Sequence, residues 1–121
     1  MAGNLLLALL LWSSTLLGLS AAWASPKIDE YRTHDCSGEM MWTHWPSIGD
    51  CIELDYFTNS TYINTGSGFF AGVPVAYSRS GCTSDQRIGK IPGMNNTGVC
   101  LDINTMFPLP YGGRVRSIRL D

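Results

Sequence analysis

Alternating aliphatic and polar residues mark two short segments of the chain as half-buried β-strands. Ile52 and Leu54 alternate with a cysteine and two carboxylates, and Leu101 and Ile103 alternate in the same way with a cysteine and one carboxylate. Successive side chains of a strand point to opposite faces of a sheet. Each of the two segments is therefore predicted to bury one aliphatic face.

The rest of the chain after residue 24 also favours short strands over helices. This region contains all six Pro and most of the 13 Gly, which punctuate the sequence with turns. Seven strands are predicted, near residues Glu39 to His44, Cys51 to Asp55, Thr61 to Asn64, Val73 to Ser78, Arg87 to Ile91, Val99 to Ile103 and Val115 to Leu120. Seven or eight strands in about 97 residues predict an all-β sandwich or small barrel.

The first 24 residues have the pattern of a secretory signal peptide. They contain no Lys, Arg, Asp or Glu, and the run from Leu5 to Leu19 is almost wholly apolar. Ala22 and Ala24 then form an A-x-A cleavage site. The apolar run is shorter than the roughly 20 residues that a membrane span needs, so we expect residues 25–121 to be one secreted domain without a membrane anchor.

Charge and cysteine content narrow the class of protein further. The net charge of −2 argues against binding to a phosphate backbone, so nucleic acid is not an expected partner. Four cysteines, Cys36, Cys51, Cys82 and Cys100, predict two disulfides with three possible connectivities. The sequence has no Cys-x-x-Cys pair, and His34 and His44 are not spaced as zinc ligands, so no metal or other cofactor is predicted.

The cysteines also indicate an internal repeat. Cys51 follows Cys36 by fifteen positions, Cys100 follows Cys82 by eighteen, and a glycine, Gly49 or Gly98, lies two residues before the second cysteine of each pair. A serine with an aliphatic strand closes each copy, at Ser60 and at Ser117. Two copies of one β unit packed face to face would explain the repeat, and the duplication favours local pairing of Cys36 with Cys51 and of Cys82 with Cys100. Swapped pairing remains open.

The second unit resembles a βγ-crystallin Greek-key motif. Val75-Ala76-Tyr77 is similar to the motif's first strand, which ends in an aromatic residue, and Ser117-Ile118-Arg119-Leu120 is similar to its closing strand. The serine of that strand ties down a folded hairpin in the family. The resemblance implies a small Greek-key sandwich of two related units, at about residues 31–65 and 72–121.

Together with the leader and the four cysteines, the chain is similar to small secreted fungal proteins of this group, which include candidate effectors and killer toxins. The resemblance implies an extracellular role against host or competitor cells. Calcium-binding members of the family carry Asn or Asp shortly before the closing serines. Here that stretch is Gly112-Gly113-Arg114-Val115-Arg116-Ser117, so we predict no high-affinity calcium site at this position.

Catalytic signals are sparse. There is no Gly-x-Ser-x-Gly elbow, and the strand carboxylates alternate as they do on the solvated face of a sheet. We therefore predict that the protein is not an enzyme. A cleft that brought His44 within hydrogen-bonding reach of a carboxylate would revive the catalytic hypothesis.

Two groups of residues are candidates for binding. Trp42 and Trp45 could anchor a partner or stack on a sugar if they are exposed, although we expect at least one of them to fill the core. Arg114, Arg116 and Arg119 form a basic stripe that could meet an anionic partner, or could keep an edge strand from pairing with another molecule. Tyr56-Phe57 completes the apolar inventory.

The sequence thus predicts a secreted, non-catalytic binding protein, a monomer or weak dimer. An effector or toxin-like protein is the leading hypothesis, with an extracellular host or competitor protein or a wall glycan as partner. A cell-wall carbohydrate-binding module, supported by an exposed tryptophan, and an inhibitor of secreted hydrolases, supported by a protruding loop near Pro46 or Pro108-Leu109-Pro110, are the alternatives. Two sequons make Asn59 and Asn95 candidates for glycosylation if their loops are exposed.

Overall fold

The structure is a computed structural model of the chain and is described over residues 24–94, 98–107 and 113–121. Within these residues the protein is all-β, with two antiparallel four-stranded sheets, two short 3-10 helices and no α-helix. The strands are β1 (Lys27–Tyr31), β2 (Met40–His44), β3 (Cys51–Glu53), β4 (Ser60–Asn64), β5 (Pro74–Tyr77), β6 (Arg87–Lys90), β7 (Val99–Asp102) and β8 (Ser117–Leu120). The predicted signal peptide up to residue 23, Asn95 and the segment 108–110 lie outside the described residues.

The strand order reproduces the internal repeat. One sheet has the order β2-β1-β4-β7 and the other has the order β6-β5-β8-β3. The second order follows from the first when each strand is replaced by its counterpart in the other half of the chain: β2 by β6, β1 by β5, β4 by β8 and β7 by β3. Each half of the chain therefore gives three strands to one sheet and its third strand to the other. The two related halves therefore exchange a strand between the sheets.

Seven of the eight strands lie where the sequence predicts them, with ends within two residues of the predicted positions. The strand that the sequence did not predict is β1, in which Lys27, Asp29 and Glu30 are three of five residues. Charged residues are depleted from strands, yet Asp29 and Glu30 are only 4% and 1% exposed. Tertiary contacts to these carboxylates, described below, outweigh the local pattern.

The hydrophobic core lies between the two sheets. It is built mainly from branched aliphatic side chains of both sheets and their connections, namely Ile28, Ile63, Ala76, Ile91, Ile103, Val115 and Ile118. Ile28 pairs with Ile63 across β1 and β4, and Ile118 pairs with Ile52 across β8 and β3. Burial of each such side chain contributes about 1.5–3 kcal/mol.

A hairpin between the first two strands of each half folds back over the outer face of its sheet. In the first half, the Ser60 hydroxyl accepts a hydrogen bond from the Cys36 N–H at 2.9 Å and donates one to the Thr33 carbonyl at 2.5 Å. In the second half, Ser117 and Cys82 repeat the same arrangement. Cys36 and Cys82 both have positive φ angles, 56° and 49°, so the two turns share a backbone conformation as well.

The disulfides join Cys36 to Cys100 and Cys51 to Cys82, with Cα–Cα distances of 6.0 and 5.9 Å. The favoured local pairing is therefore wrong, and the swapped pairing is present. The strand exchange is the reason: the hairpin that carries Cys36 lies over the sheet that contains β7, which carries Cys100. Each disulfide consequently connects the two halves of the chain, and the twofold repeat is preserved.

Candidate functional site

Both candidate tryptophans lie at the surface. Trp42 is 54% exposed and Trp45 is 62% exposed, so the expectation that at least one of them fills the core is wrong. The reason is the position of β2, which forms an edge of its sheet and pairs with β1 alone. Trp42 is opposite the buried Glu30 in this pairing, but no strand covers its other side.

Trp42 lies in a depression of about 630 Å³ between the β1–β2 hairpin and the loop after β3. The residues that matter most for its chemistry are Arg32, Glu39, Met40, Trp42, Asp55 and Phe57, and we call this depression the Trp42 groove. The indole Nε1 of Trp42 donates a hydrogen bond to Asp55 Oδ2 at 3.3 Å. This bond orients the ring while its faces stay partly open to solvent.

The loop that forms one wall of the groove is fixed by a buried carboxylate. Glu30 Oε1 accepts hydrogen bonds from the Asp55 N–H and the Thr58 hydroxyl, both at 2.7 Å. Asp55 Oδ1 in turn accepts a hydrogen bond from the Phe57 N–H at 2.9 Å. The loop therefore holds its aromatic residues in place before any ligand arrives, which lowers the entropy cost of binding.

Two exposed aromatic rings extend from this loop. Tyr56 is 73% exposed and Phe57 is 57% exposed, and their ring centroids are 5.4 Å apart in an edge-to-face arrangement. The Arg32 guanidinium lies 5.0 Å from the Phe57 centroid, and the Arg116 guanidinium 5.8 Å from the Tyr56 centroid. Two adjacent aromatic residues carry no signal of exposure in a sequence, so the sequence alone does not assign this pair to a site.

The predicted basic stripe is divided in the structure. Arg119 forms an ion pair with Asp121 at 2.7 Å, and that hydrogen bond and charge raise the pKa of Arg119. Arg114 instead braces the loop, because its Nη2 donates to the carbonyls of Tyr56 and Thr58, both at 2.9 Å. The suggestion that these residues protect an edge strand is also wrong, since β8 lies between β3 and β5.

Arg114 and Arg116 share a second depression with Arg79. Ser78 and Ser80 complete its lining, and its volume is about 710 Å³. We call it the arginine pocket. Its lining contains three guanidinium groups and no acidic residue. Burial lowers the pKa of Arg114, and the positive charge of Arg116 lowers it further, which indicates a positive potential in this region.

Both histidines contact carboxylates, one in a largely buried pair and one at the surface. His44 Nε2 lies 2.5 Å from Glu30 Oε2, which meets the geometric condition set for a catalytic hypothesis. Glu30, however, is 1% exposed and already binds the groove loop, so it has no access to a substrate. His34 Nδ1 lies 2.8 Å from Asp102 Oδ2, and the His34 side chain is 64% exposed. Both pairs hold segments of the fold together: His44 with Glu30 joins β2 to β1, and His34 with Asp102 joins the β1–β2 hairpin to β7.

Metal and membrane features are absent from the described parts of the chain. No cluster of three or more His, Cys, Asp or Glu residues in residues 24–94, 98–107 and 113–121 is arranged to hold a metal ion. Across the same residues, none of the helices has the length and apolar character that a bilayer crossing requires. At the stretch compared with calcium-binding motifs, the Arg114 guanidinium contacts three oxygen acceptors, and the predicted lack of calcium there stays a prediction.

The Asn59 side chain is engaged within the fold. Its Nδ2 donates a hydrogen bond to the Arg32 carbonyl at 2.7 Å, and its Oδ1 accepts one from Asn104 at 3.1 Å. Glycosylation would replace one of the two Nδ2 hydrogens and leave the other to donate this bond, so modification of Asn59 stays a prediction.

Comparison with known proteins identifies no relative. No protein-family model matches the chain. No curated protein and no solved structure matches it either. The functional argument consequently rests on the surface described above.

Proposed function

We propose that the chain is a secreted, non-catalytic binding protein, a fungal effector or toxin-like protein that acts from outside on host or competitor cells. The observation that carries this proposal is the exposed aromatic surface around Trp42, presented by a scaffold that two disulfides brace. Aromatic side chains give a large contact area at a small entropic cost, and they dominate the energetics of many interfaces.

The strand order supports the crystallin-like Greek-key part of the proposal. Each half of the chain supplies three strands to one sheet and one to the other. Each half also ends in a strand whose serine, Ser60 or Ser117, holds a folded hairpin through a pair of hydrogen bonds. The resemblance implied both the two related units and this role of the serine.

Cross-linking supports the extracellular part of the proposal. All four cysteines are paired in disulfides, which persist in oxidising compartments and are rare in the cytosol. A domain of this size has a small core and benefits from such cross-links. The apolar leader of the sequence supports the same location.

A cell-wall carbohydrate-binding module is the second candidate. The exposure of both Trp42 and Trp45 favours it, because exposed indole rings can stack on the apolar faces of sugars. An inhibitor of secreted hydrolases stays an alternative: Pro46 itself is buried, the residues 47–50 after it are exposed, and the segment 108–110 lies outside the described residues.

A cell-binding experiment tests the proposal. The oxidised protein, fluorescently labelled, is incubated with intact host and competitor cells and with their wall preparations. We expect saturable binding that Trp42→Ala weakens by about tenfold, the loss that follows from about 1.4 kcal/mol of contact energy. Phe70→Ala, which removes another exposed ring lying beside Trp45, is the matched control and should bind as the wild type does.

Two results would contradict the proposal. Binding that neither reduction of the disulfides nor Trp42→Ala affects would show that the folded aromatic surface is not used. Release of soluble fragments from the wall during incubation would show that the protein is an enzyme.

A further inference from the structure

We infer that the Trp42 groove and the arginine pocket form one continuous binding surface for an acidic polysaccharide, a chain of sugars that carry carboxylates. This inference rests on the proposed function and deepens it by naming the class of ligand. It depends on three features: the continuity of the two depressions, the exposed rings of the first and the three guanidinium groups that line the second.

The continuity runs through the loop after β3. Trp42 is hydrogen-bonded to Asp55 at the start of this loop, and Phe57 lines the same groove. The Phe57 ring contacts the Tyr56 ring, and the Tyr56 ring contacts the Arg116 guanidinium of the arginine pocket. A linear polymer that follows this loop would therefore meet aromatic faces first and guanidinium groups next.

The aromatic end has the chemistry of a sugar platform. A pyranose ring has an apolar face of C–H bonds and a polar rim of hydroxyl groups, so it needs an exposed ring with hydrogen-bonding groups beside it. Trp42 and Phe57 are more than half exposed, and the guanidinium of Arg32 and the carboxylate of Glu39 flank them. Sites of this kind combine apolar walls with a few convergent polar groups.

The cationic end has the chemistry of a carboxylate site. Three of the eight Lys and Arg residues of the chain, Arg79, Arg114 and Arg116, line one pocket, and no acidic residue is among the described residues of its lining. Asp85 and Asp102 act on Arg79 and Arg114 from outside that lining. A guanidinium group binds a carboxylate with two parallel hydrogen bonds, which gives both affinity and geometric specificity. Burial and, after it, the positive charge of Arg116 lower the pKa of Arg114, and a bound carboxylate would offset that repulsion.

Two other anionic ligands share part of this chemistry. Single-stranded nucleic acid also stacks on aromatic rings and pairs with arginine. Its phosphates carry a charge on every nucleotide and would meet Glu39 and Asp55 in the groove, whereas an acidic polysaccharide can place a neutral or esterified sugar there and a carboxylate at the arginine pocket. An anionic lipid surface would contact the arginines but would leave the Trp42 groove without an occupant.

The experiment compares two forms of one polymer. Partly methyl-esterified polygalacturonate, here called the acid form, and fully methyl-esterified polygalacturonate have the same sugar backbone, but full esterification removes the negative charge. The binding of the oxidised protein to each is measured by calorimetry at two salt concentrations. We expect the acid form to bind about tenfold more tightly than the ester and to lose affinity as salt rises.

Variants separate the two ends of the surface. Arg116→Gln and Arg79→Gln should weaken binding of the acid form by about fivefold to tenfold and leave binding of the ester unchanged. Trp42→Ala should weaken binding of both forms by the same factor. Arg119→Gln is the matched control, because Arg119 already pairs with Asp121 and lies outside the arginine pocket, and it should bind as the wild type does. Arg114 is left intact because it braces the loop.

Several outcomes would overturn the inference. Equal affinity for the acid and the ester would do so, as would an equal loss from Arg119→Gln and Arg116→Gln. Tighter binding to single-stranded RNA or to phosphatidylserine vesicles than to polygalacturonate would assign the arginine pocket to another ligand. If no polysaccharide binds while cell binding still depends on Trp42, the inference fails and the proposed function stands. If the protein binds neither cells nor polymers, both fail.

Discussion

Removal of the buried carboxylate of Glu30 should both destabilise the fold and loosen the binding loop. Glu30 is 1% exposed and accepts hydrogen bonds from the Asp55 N–H, from the Thr58 hydroxyl and, at 2.5 Å, from His44 Nε2 when that nitrogen carries the proton. It thus connects three elements: β1 on which it lies, β2 and the loop after β3.

The size of the destabilisation follows from the groups that lose a hydrogen-bond partner. In Glu30→Ala the Thr58 hydroxyl, which is fully buried, and the Asp55 N–H would each lose their acceptor, and each such loss costs about 1–3 kcal/mol. The His44 side chain is 27% exposed and can hydrogen-bond to water instead, so the loss of its contact with Glu30 adds less to the destabilisation. We expect a loss of about 4 kcal/mol, within the range for one partner removed from a buried pair. Glu30→Gln keeps one acceptor oxygen and should cost about 1–2 kcal/mol.

The free energy of unfolding of the oxidised variants is measured by urea denaturation, with tryptophan fluorescence as the probe. Variants are compared only where the free energy depends equally steeply on urea concentration. Glu39→Ala removes an exposed carboxylate from the same groove and should change the free energy of unfolding by less than about 0.5 kcal/mol. A loss below about 1 kcal/mol for Glu30→Ala would refute the argument, as would equal losses for the Ala and Gln variants. The Gln variant keeps the test usable if the Ala variant does not fold.

Two further predictions concern the repeat and the acid stability of the fold. Gly49 and Gly98 occupy equivalent turns with φ angles of 95° and 83°, but a Cβ on Gly98 would collide with the Tyr62 ring, whereas one on Gly49 would meet open space. In thermal or urea unfolding, Gly49→Ala should therefore cost about 1 kcal/mol and Gly98→Ala about 3 kcal/mol, and equal costs would contradict the packing argument. Desolvation raises the pKa of Asp102, but hydrogen bonds from a backbone N–H in the next turn and from His34 outweigh it and hold the pKa below its ordinary value. Because the folded pKa of Asp102 is depressed, its stabilisation is present above the unfolded pKa of about 4 and is lost as the pH falls through the folded pKa. Asp102→Asn should therefore flatten the acid limb of a curve of unfolding free energy against pH, and an acid limb as steep as that of the wild type would contradict this.

The sequence determined the elements that depend on local pattern. Alternation and turn residues placed seven of the eight strands, because a strand with one buried face must repeat every two residues. The repeated spacing of cysteines and glycines, with Ser60 and Ser117, indicated two related halves, and the number of cysteines indicated two disulfides. Each of these features depends on a short segment of the sequence and can be predicted from that segment alone.

Tertiary structure decided every property that depends on which segments become neighbours. The exchange of β3 and β7 between the sheets set the disulfide pairing, since it placed Cys100 under the hairpin of Cys36. The edge position of β2 left Trp42 exposed. Glu30 made β1 a buried strand despite its charges, because its hydrogen-bond partners come from β2 and from the loop after β3. A buried carboxylate is stable only where distant groups satisfy its oxygens, and no local pattern in the sequence records where those groups will be.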